Sequence, residues 1–365
     1  MPLDSSSLLP LRFLPDMDTE ASPDLQVMYA PISKEMLLLS RFLKEEFSSL
    51  EPFLWQILQH IARFRGKQIR PALLFLVSKL SRGEGRGDSN GNGRVEPTGD
   101  AIEDHVKIGA VVELIHTATL IHDDILDDAR LRRNLETIHC RWGERAAVLM
   151  GDYIYSRAFN ISTEVPGMAR ILSDTTHTIC EGELLQIGNR YRPDIGEATY
   201  FEIIRKKTAV LYAVSCELGG VLGGLDVGRC KRLHSFGMNL GMAFQIVDDC
   251  LDYAGKESVT GKSLGTDLHQ GKVTLPLIYL MECLTESESW WLRDVLQKPL
   301  TREAEARINA LVESHGVVQD AFARAEAFVQ GGKAILAEVT NGETSLAPIR
   351  ESLELVSDYV VRRQR

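Results

Sequence analysis

Apolar residues recur at steps of three and four along the chain, from about residue 33 to its end. Two clear examples are the segments MLLLSRFLKEEF and FLWQILQHIARF. This spacing places the apolar side chains on one face of an α-helix, whereas a half-buried strand would show alternating apolar and polar residues. Because no segment shows convincing alternation, the pattern predicts an all-α protein built from a series of helices.

Two stretches depart from the helical pattern. Residues 1–25 lack it and are predicted to form a loose N-terminal arm. Residues 81–100, SRGEGRGDSNGNGRVEPTGD, contain six glycines and are predicted to be a flexible loop inserted between two helices, because the helical pattern resumes directly afterwards. We therefore expect one domain over residues 26–365, although a length of 365 residues would also allow two.

Composition and charge narrow the functional classes. The formal net charge of −10 argues against a nucleic-acid partner, because such partners are held mainly by lysine and arginine contacts to phosphates. The six cysteines show neither zinc-ligand nor redox spacing, which is typical of reduced thiols in a cytoplasmic protein. No run of about 18 apolar residues is free of charge, so we expect no transmembrane segment. The N-terminal residues resemble neither a secretory nor a mitochondrial targeting signal.

Two aspartate clusters with the same D-D-x-x-D spacing interrupt otherwise apolar helical segments. The first cluster is Asp123, Asp124 and Asp127, and the second is Asp248, Asp249 and Asp252. On a helix these positions share one face, where three carboxylates repel one another unless a cation neutralises them. Oxygen ligands of this kind favour Mg²⁺, which bridges carboxylates to substrate phosphates. If the two helices face each other across a cavity, the clusters form a metal-lined mouth.

A simpler interpretation is that each cluster is a solvated helix end with capping acids. For a single cluster the two interpretations are equally favoured. Two clusters that begin 125 residues apart, at Asp123 and Asp248, and that each close an apolar helix favour the metal site.

A diphosphate substrate needs cationic side chains as well as metal ions. Lys67 and Arg70 in RGKQIRP are three residues apart, which predicts that they share one face of a helix. The further candidates are Arg132, Arg133, Lys207, Lys262 and Lys272. A single lysine or arginine is more often a surface cation than a ligand, so these candidates depend on the motifs around them.

Taken together, these motifs resemble the trans-prenyltransferases, the polyprenyl diphosphate synthase family, of the long-chain type. The resemblance covers about residues 60 to 280. In the family's order it includes GKQIRP, ELIHTATLIHDDILDDARLRR, WGERAAVLMGDYIYSRA, CEGELLQ, KTAVLY, GMAFQIVDDCLDYAGK and GKSLGTDLHQGKVTLP. It implies the isoprenoid synthase fold, which is a single-domain bundle of long helices around a deep central cavity, and it implies a homodimer.

The resemblance also implies roles for individual residues. The two aspartate clusters would hold Mg²⁺, three ions per site, on the allylic diphosphate. The residues that would hold isopentenyl diphosphate are Lys67, Arg70, His116 and Arg133. The residues that would hold the allylic diphosphate are Arg132, Lys207, Lys262 and Lys272. Thr208 and Gln245 would line the reaction centre, where Lys207 and Lys262 would also act in catalysis.

His116 has a second interpretation, as a hydrogen-bonded core histidine. Its spacing favours a place in the site, because one helical stripe contains Glu113, His116, Leu120, Asp124 and Asp127.

One departure from the family's pattern affects a substrate loop. After Arg133 the family has Gly-Lys-Pro, whereas this chain has Asn134, Leu135 and Glu136. The lysine is lost and an acid is added, so we expect the shape and the charge of this loop to differ. No metal ligand is removed by the change.

The reaction that the resemblance implies is the extension of an allylic diphosphate, such as farnesyl or geranylgeranyl diphosphate, by isopentenyl diphosphate. Four alternatives are a short-chain synthase, a class I terpene cyclase, a non-catalytic subunit of a heteromeric synthase and a helical interaction module. A cyclase would not need the second D-D-x-x-D cluster or GKQIRP, and a non-catalytic subunit tends to lose aspartates that are all present here. A mere interaction module would leave the aspartates on apolar helices unexplained.

The residues before the first aspartate cluster bear on the length of the product. The growing chain is expected to pass Thr119 and Ala118, four and five positions before Asp123, and then Ile115. Short-chain members of the family have aromatic residues at the first two positions, which act as a floor. Each helical turn rises about 5.4 Å, similar to one extended isoprene unit, so two or three open turns predict a product of about six to ten units (about C30 to C50).

A product of this size is used for quinone side chains, and its release predicts a transient contact with a membrane. The alternative is that the small residues pack against a neighbouring helix and that a bulky residue elsewhere closes the tunnel.

Overall fold

The computed structural model describes residues 23–64, 66–83, 99–254, 265–341 and 343–362. Most of the predicted loop at 81–100 lies outside these ranges, and so does Lys262. Helix α1 begins at Pro23, a residue type that suits the first position of a helix, so the last three residues of the predicted arm are helical. The two ends of the predicted loop are helical as well, because a 3₁₀ helix continues to Gly83 and helix α5 begins at Gly99.

Helices dominate the described chain, as the apolar spacing predicts. In the N-terminal half they are α1 (Pro23–Tyr29), α2 (Ser33–Glu46), α3 (Pro52–Ala62), α4 (Ile69–Ser78), α5 (Gly99–Leu126), α6 (Ile138–Trp142), α7 (Glu144–Ser162) and α8 (Met168–Gly188). In the C-terminal half they are α9 (Glu197–Ile204), α10 (Val210–Gly223), α11 (Val227–Ala254), α12 (Thr266–His269), α13 (Leu275–Cys283), α14 (Glu286–Leu296), α15 (Arg302–His315), α16 (Val317–Thr340) and α17 (Ala347–Arg362). Short 3₁₀ helices span Ala30–Ile32, Lys79–Gly83 and Thr344–Leu346.

The long helices α5 and α11, each of 28 residues, carry the two aspartate clusters at their C-terminal ends. Helix α5 packs mainly on α7, and α11 packs mainly on α10 and α16. Their inward faces are apolar and fully buried, for example at Leu114, Ile115 and Val247, and each such side chain stabilises the fold by roughly 1.5–3 kcal/mol. The prediction of an all-α protein is confirmed. None of the described helices has the length and apolar character needed to cross a membrane.

A short antiparallel hairpin joins α5 to α6. Strand β1 (Leu131–Arg132) pairs with strand β2 (Leu135–Glu136). Strands of two residues are too short to show an alternating pattern, which is why the sequence did not predict them. The hairpin matters because it holds Arg132 beside the first aspartate cluster.

Candidate active site

The two aspartate clusters lie around one mouth, at the C-terminal ends of α5 and α11. Lys272 joins them, because its ammonium nitrogen lies 3.0 Å from a carboxylate oxygen of Asp127 and 3.3 Å from one of Asp267. The backbone N–H of Asp267 in turn donates a hydrogen bond to Asp252 at 3.0 Å. The fold therefore brings both clusters to one space, the arrangement that the repeated motif suggested.

Asp127 corrects the prediction that each cluster lies wholly on a helix. Helix α5 ends at Leu126, so Asp127 is the first residue beyond it, whereas the whole second cluster lies within α11. The backbone N–H of Asp127 still donates to the carbonyl of Asp123 at 2.8 Å. The helical spacing of the three carboxylates is thereby kept.

Asp123 and Asp124 face cations from two other elements. Arg132 donates to both carboxylate oxygens of Asp124 at 2.7–2.9 Å, the forked geometry that suits a guanidinium. The ammonium group of Lys207 lies 3.9 Å from Asp123 and also forms an ion pair with Glu183. Asp124 is only 2% exposed, so its pairing with Arg132 takes place away from bulk water.

Burial raises the pKa of both carboxyl groups. The pKa of Asp123 rises to about 6, because burial disfavours the charged form and Glu183 adds negative charge, while Lys207 opposes the rise. Burial also raises the pKa of Asp124, against the hydrogen bonds from Arg132. The pKa of Lys207 is raised although burial lowers it, because Asp123 and Glu183 favour its charged form. Additional positive charge at this mouth would stabilise the ionised aspartates.

Three side chains from later parts of the chain hold Asp127. Arg190 donates to one of its carboxylate oxygens at 2.9 Å, and Lys272 donates to the other at 3.0 Å. The side-chain amide of Gln270 donates to the Asp127 backbone carbonyl at 2.7 Å. Of these three residues, only Lys272 is among the ligands predicted from the sequence.

Asp249 of the second cluster is held by hydrogen bonds from uncharged side chains. The Thr208 hydroxyl donates to the side-chain oxygen of Gln245 at 2.7 Å, and the Gln245 amide donates to Asp249 at 2.8 Å. The Tyr200 hydroxyl donates to the other oxygen of Asp249 at 2.7 Å. Burial and the nearby Asp267 raise the pKa of Asp249 to about 8. Thr208 and Gln245 thus lie together beside an aspartate of the second cluster.

Lys207 and Thr208 lie on a π-helical turn, Arg205–Ala209, between α9 and α10. Such turns occur often at functional sites. Two glycines allow neighbouring helices to approach this turn closely. A Cβ atom on Gly182 of α8 would lie 2.5 Å from the Lys207 backbone nitrogen, and one on Gly241 of α11 would lie 2.5 Å from a Cα atom of the turn. Larger residues at either position would therefore displace the turn and its lysine.

A pocket opens beside the first cluster. Its polar lining residues are Gln68, Glu113, His116, Thr117, Arg132 and Arg133, and its apolar lining residues are Leu43, Phe47, Ile61, Phe64, Gly66, Leu120 and Ile121. Glu113, His116 and Leu120 line it together, as their helical stripe predicts. Burial and the positive charges of Arg70, Arg132 and Arg133 lower the pKa of His116 well below its usual value. Its imidazole is consequently neutral at neutral pH and has one N–H to donate.

Lys67 and Arg70 do not share a helical face, so that prediction is wrong. Helix α4 begins only after Gln68, whose φ of 51° is left-handed. Lys67 is therefore exposed on the preceding loop, with its ammonium 4.6 Å from the centre of the Tyr359 ring. Arg70 is buried, with its guanidinium 4.4 Å from the centre of the Tyr212 ring. Its Nε has no hydrogen-bond partner among the described residues, which leaves a donor for an anion.

The shape of the hairpin explains how this chain can have Asn134, Leu135 and Glu136 where the family has Gly-Lys-Pro. Arg133 and Asn134 form the tip of the hairpin with φ values of 52° and 62°. Asparagine tolerates this left-handed conformation better than most residues, so Asn134 can replace glycine while the turn is kept. Arg133 is held by a hydrogen bond from its guanidinium to the carbonyl of Phe64. Leu135 packs against the core and Glu136 is exposed, which places the added negative charge at the surface.

The oxygen donors at the mouth suit a hard divalent cation. Besides the aspartates, a buried carboxylate oxygen of Glu183 has no hydrogen-bond partner within the described ranges. In the described part of the chain, no three acidic, histidine or cysteine side chains already converge as a metal-binding group. The carboxylates of the first cluster instead face Arg132, Lys207, Arg190 and Lys272. A metal ion at this cluster would therefore replace contacts that side-chain cations now make.

The residues expected to control product length lie on another side of α5 from this pocket. Ala118 and Ile115 are completely buried in the core. Thr119 is partly buried, and its hydroxyl donates to the carbonyl of His116 at 2.7 Å. All three positions are thus packed within the helical bundle, on the part of α5 that precedes the first cluster.

Five residues of the mouth were not predicted from the sequence, namely Glu183, Arg190, Tyr200, Asp267 and Gln270. Glu183 lies inside the motif CEGELLQ, so its position could have been found from the motif. Arg190 and Tyr200 lie outside every motif that was singled out, and only their contacts show that they belong to the mouth. Lys262 lies outside the described residues, so its role remains a prediction.

The chain is similar to known proteins over most of its length. A family model described as Polyprenyl synthetase matches residues 51–314. Octaprenyl diphosphate synthase from Escherichia coli (strain K12) is 32% identical over 335 residues, which cover 91% of this chain and 97% of the relative. A short chain isoprenyl diphosphate synthase from Methanothermobacter thermautotrophicus is also 32% identical, over 329 residues that cover 88% of this chain and 94% of the relative.

The solved structures include a polyprenyl synthase from Caulobacter crescentus CB15, complexed with calcium and isoprenyl diphosphate. It is 31% identical to this chain, the match covers 95% of this chain and 100% of that one, and the TM-score is 0.82. The predicted isoprenoid synthase fold is thereby confirmed. With the family match over residues 51–314, this chain belongs to the polyprenyl synthetase family and is a prenyl-transferring enzyme.

Proposed function

We propose that this protein extends an allylic diphosphate with isopentenyl diphosphate to give a long-chain all-trans polyprenyl diphosphate. The observation that carries the proposal is the meeting of two aspartate clusters at one mouth, directly beside a pocket rimmed by His116, Arg132 and Arg133. A condensation of two diphosphates needs two neighbouring anion sites, and the mouth and the pocket supply them.

Magnesium is the cofactor that we propose, with three ions per site held by the two aspartate clusters. When bound, it would supply Lewis-acid stabilisation of the leaving diphosphate. Support comes from the oxygen donors at the mouth and from the Caulobacter relative, which was solved with calcium, another divalent cation that prefers oxygen ligands.

The chain's own residues bind and orient the two substrates. The cations of the mouth, Arg132, Lys207 and Lys272, now pair with aspartates of the first cluster and would donate to the allylic diphosphate, and Lys262 is proposed to join them. Loss of the diphosphate leaves an allylic cation beside the Thr208–Gln245 pair. The double bond of isopentenyl diphosphate, held in the neighbouring pocket, attacks this cation, and a proton is then lost to the released diphosphate. Apolar lining residues such as Leu120 and Ile121 would exclude water that would otherwise quench the cation.

The product length that we propose is about six to ten isoprene units, estimated from the helical rise along α5. Relatives of equal identity include an octaprenyl synthase and a short-chain synthase, so the proposal rests on the small side chains of Ala118 and Thr119 and on Ile115 beyond them. The short-chain relative favours a short-chain synthase as the second candidate. A product of the proposed length suits quinone side chains, and we expect its release to involve a transient membrane contact.

Purified protein with Mg²⁺, labelled isopentenyl diphosphate and either farnesyl or geranylgeranyl diphosphate tests the proposed reaction. After dephosphorylation, chromatography should show linear alcohols of about six to ten units, as the helical rise predicts. Failure to incorporate label with either primer would contradict the proposed function. Release of a cyclic hydrocarbon would indicate a terpene cyclase instead.

Arg70→Ala is expected to raise KM for isopentenyl diphosphate about 10- to 100-fold, the usual effect of losing a charge-assisted hydrogen bond, and to change KM for the allylic primer much less. The reason is that the positive charge of Arg70 acts on His116, whose pKa it lowers, and that the Arg70 Nε has no hydrogen-bond partner among the described residues. Initial-rate kinetics with each substrate varied in turn measures the difference. Arg41→Ala, on the exposed face of α2, is the control. Equal increases in KM for the two substrates would show that Arg70 does not bind isopentenyl diphosphate specifically.

We also propose a homodimer and a cytoplasmic location. Helices α7 and α8 contact each other and leave a set of large apolar side chains exposed, namely Val148, Leu149, Tyr153, Leu184 and Ile187. A second copy of the chain would cover this surface. The cytoplasmic location is supported by the six cysteines, all of which are free thiols.

A further inference from the structure

Asp127 is paired with two cations, although it carries a single negative charge. Arg190, two residues beyond the end of α8, donates to one carboxylate oxygen at 2.9 Å. Lys272 donates to the other at 3.0 Å. Both oxygens of this aspartate are therefore already in ionic contact, whereas the neighbouring Asp124 is satisfied by one arginine.

Further contacts fix Arg190 in this position. Its guanidinium also approaches the carbonyl of Leu126, the last residue of α5, at 3.3 and 3.4 Å, where a positive charge is favoured by the helix dipole. The backbone N–H of Tyr191 donates to the carbonyl of Gly271 at 2.7 Å. This hydrogen bond ties the segment to the loop that carries Lys272. Arg190 is thus held against the first aspartate cluster by both its side chain and its neighbouring backbone.

We propose that Arg190 is a resident counter-ion of Asp127, which a divalent cation must displace when it binds the first aspartate cluster. The inference rests on the proposed function, which places metal at this cluster. A guanidinium and a metal ion compete for the same carboxylate oxygen, because both need close contact with it. The ion pair therefore lowers the affinity of the cluster for metal while no substrate is bound.

The displaced guanidinium has a second partner when a diphosphate is present. It is then free to donate to phosphate oxygens at the mouth, a planar arrangement that arginine favours. Metal binding and diphosphate binding each become easier once the other has occurred, which is a coupling free energy between the two ligands. Arg190 thereby makes occupation of the first cluster depend on substrate.

Direct measurement of metal binding in the absence of substrate tests this inference. Mn²⁺ is titrated into chelator-treated wild type and Arg190→Gln, and free Mn²⁺ is followed by electron paramagnetic resonance. We expect Arg190→Gln to bind Mn²⁺ about three- to fivefold more tightly, as expected when a partly exposed competing ion pair is removed. Inorganic diphosphate should then raise the Mn²⁺ affinity of the wild type more than that of Arg190→Gln.

Arg192→Gln is the matched control, because it removes the same charge from an exposed arginine two residues further along. Thermal melting checks that all variants are folded. Unchanged or weaker Mn²⁺ binding by Arg190→Gln, or equal tightening by Arg192→Gln, would overturn the inference. If the wild type binds no Mn²⁺ and Asp127→Asn leaves Mn²⁺ binding unchanged, the proposed metal site itself is wrong. That result is distinct from the other outcomes.

Discussion

Asp123→Asn is expected to lower turnover by at least about 10²- to 10³-fold, the usual effect of removing one preorganised electrostatic group from an active site. The aspartate lies in the last turn of α5 and faces Lys207 at 3.9 Å, where the proposed function places a metal ligand. Initial rates of isopentenyl incorporation measure the effect. Asp248→Asn, in the second cluster, should give a loss of the same order.

The fold should survive this substitution and even gain stability without metal. Burial raises the pKa of Asp123 to about 6, above the value of about 3.9 for an unfolded aspartate. The folded chain therefore holds this proton more tightly, and the group lowers stability as pH rises from about 4 through about 6. Asparagine removes the buried charge, so at pH 7 in a chelator the melting temperature should be unchanged or higher.

Asp128→Asn is the matched control for these measurements. The Asp128 side chain is 98% exposed and its φ is 47°, a backbone conformation that asparagine accepts. Its activity should match the wild type. Near-normal turnover of the wild-type enzyme in excess chelator would refute the metal mechanism altogether.

Ala118→Phe is expected to shorten the product from about six to ten isoprene units to about three or four, since the ring would block the path about one turn from Asp123. Ala118 is completely buried, five residues before Asp123 on the same helix. A ring at this position would stand where the growing chain is proposed to pass. Chromatography of the dephosphorylated products of wild type and variant gives the comparison directly.

A graded series separates a tunnel effect from general damage. Adding volume to a packed core costs about 1–3 kcal/mol, so Ala118→Val and Ala118→Leu are examined beside Ala118→Phe, each with a thermal melt. A tunnel floor predicts that product length falls as the side chain grows. Damage alone would lower turnover at constant product length. A wild-type product of three units would show that the floor lies elsewhere.

The parts of the site formed by residues close together in the sequence could be predicted from the sequence. The repeated D-D-x-x-D spacing indicated two carboxylate faces, and both occur at the ends of long apolar helices. The stripe containing Glu113, His116 and Leu120 was also correct, since all three line one pocket. These inferences depend on the helical repeat, which relates residues within one or two turns by backbone geometry alone.

The same reasoning failed where one residue leaves the helical repeat. Lys67 and Arg70 are separated because Gln68 has a left-handed backbone. The position of the preceding loop is set by distant parts of the chain. The Tyr29 hydroxyl donates to the Lys67 carbonyl at 2.8 Å, and the ring of Tyr359 lies under the lysine ammonium. No sequence pattern within a few residues of Lys67 indicates contacts between α1, α17 and this loop.

The sequence alone is enough to predict an all-α protein with two aspartate clusters and to show its resemblance to the polyprenyl diphosphate synthases. Which cations meet those aspartates is visible only in the folded chain. Arg190 is 63 residues from Asp127, and Tyr200 is 49 residues from Asp249, yet each pair is in hydrogen-bond contact. Helical periodicity follows from the backbone within a few residues, whereas an ion pair depends on distance through space. That distance is set by the packing of α8, α5 and α11 as whole helices.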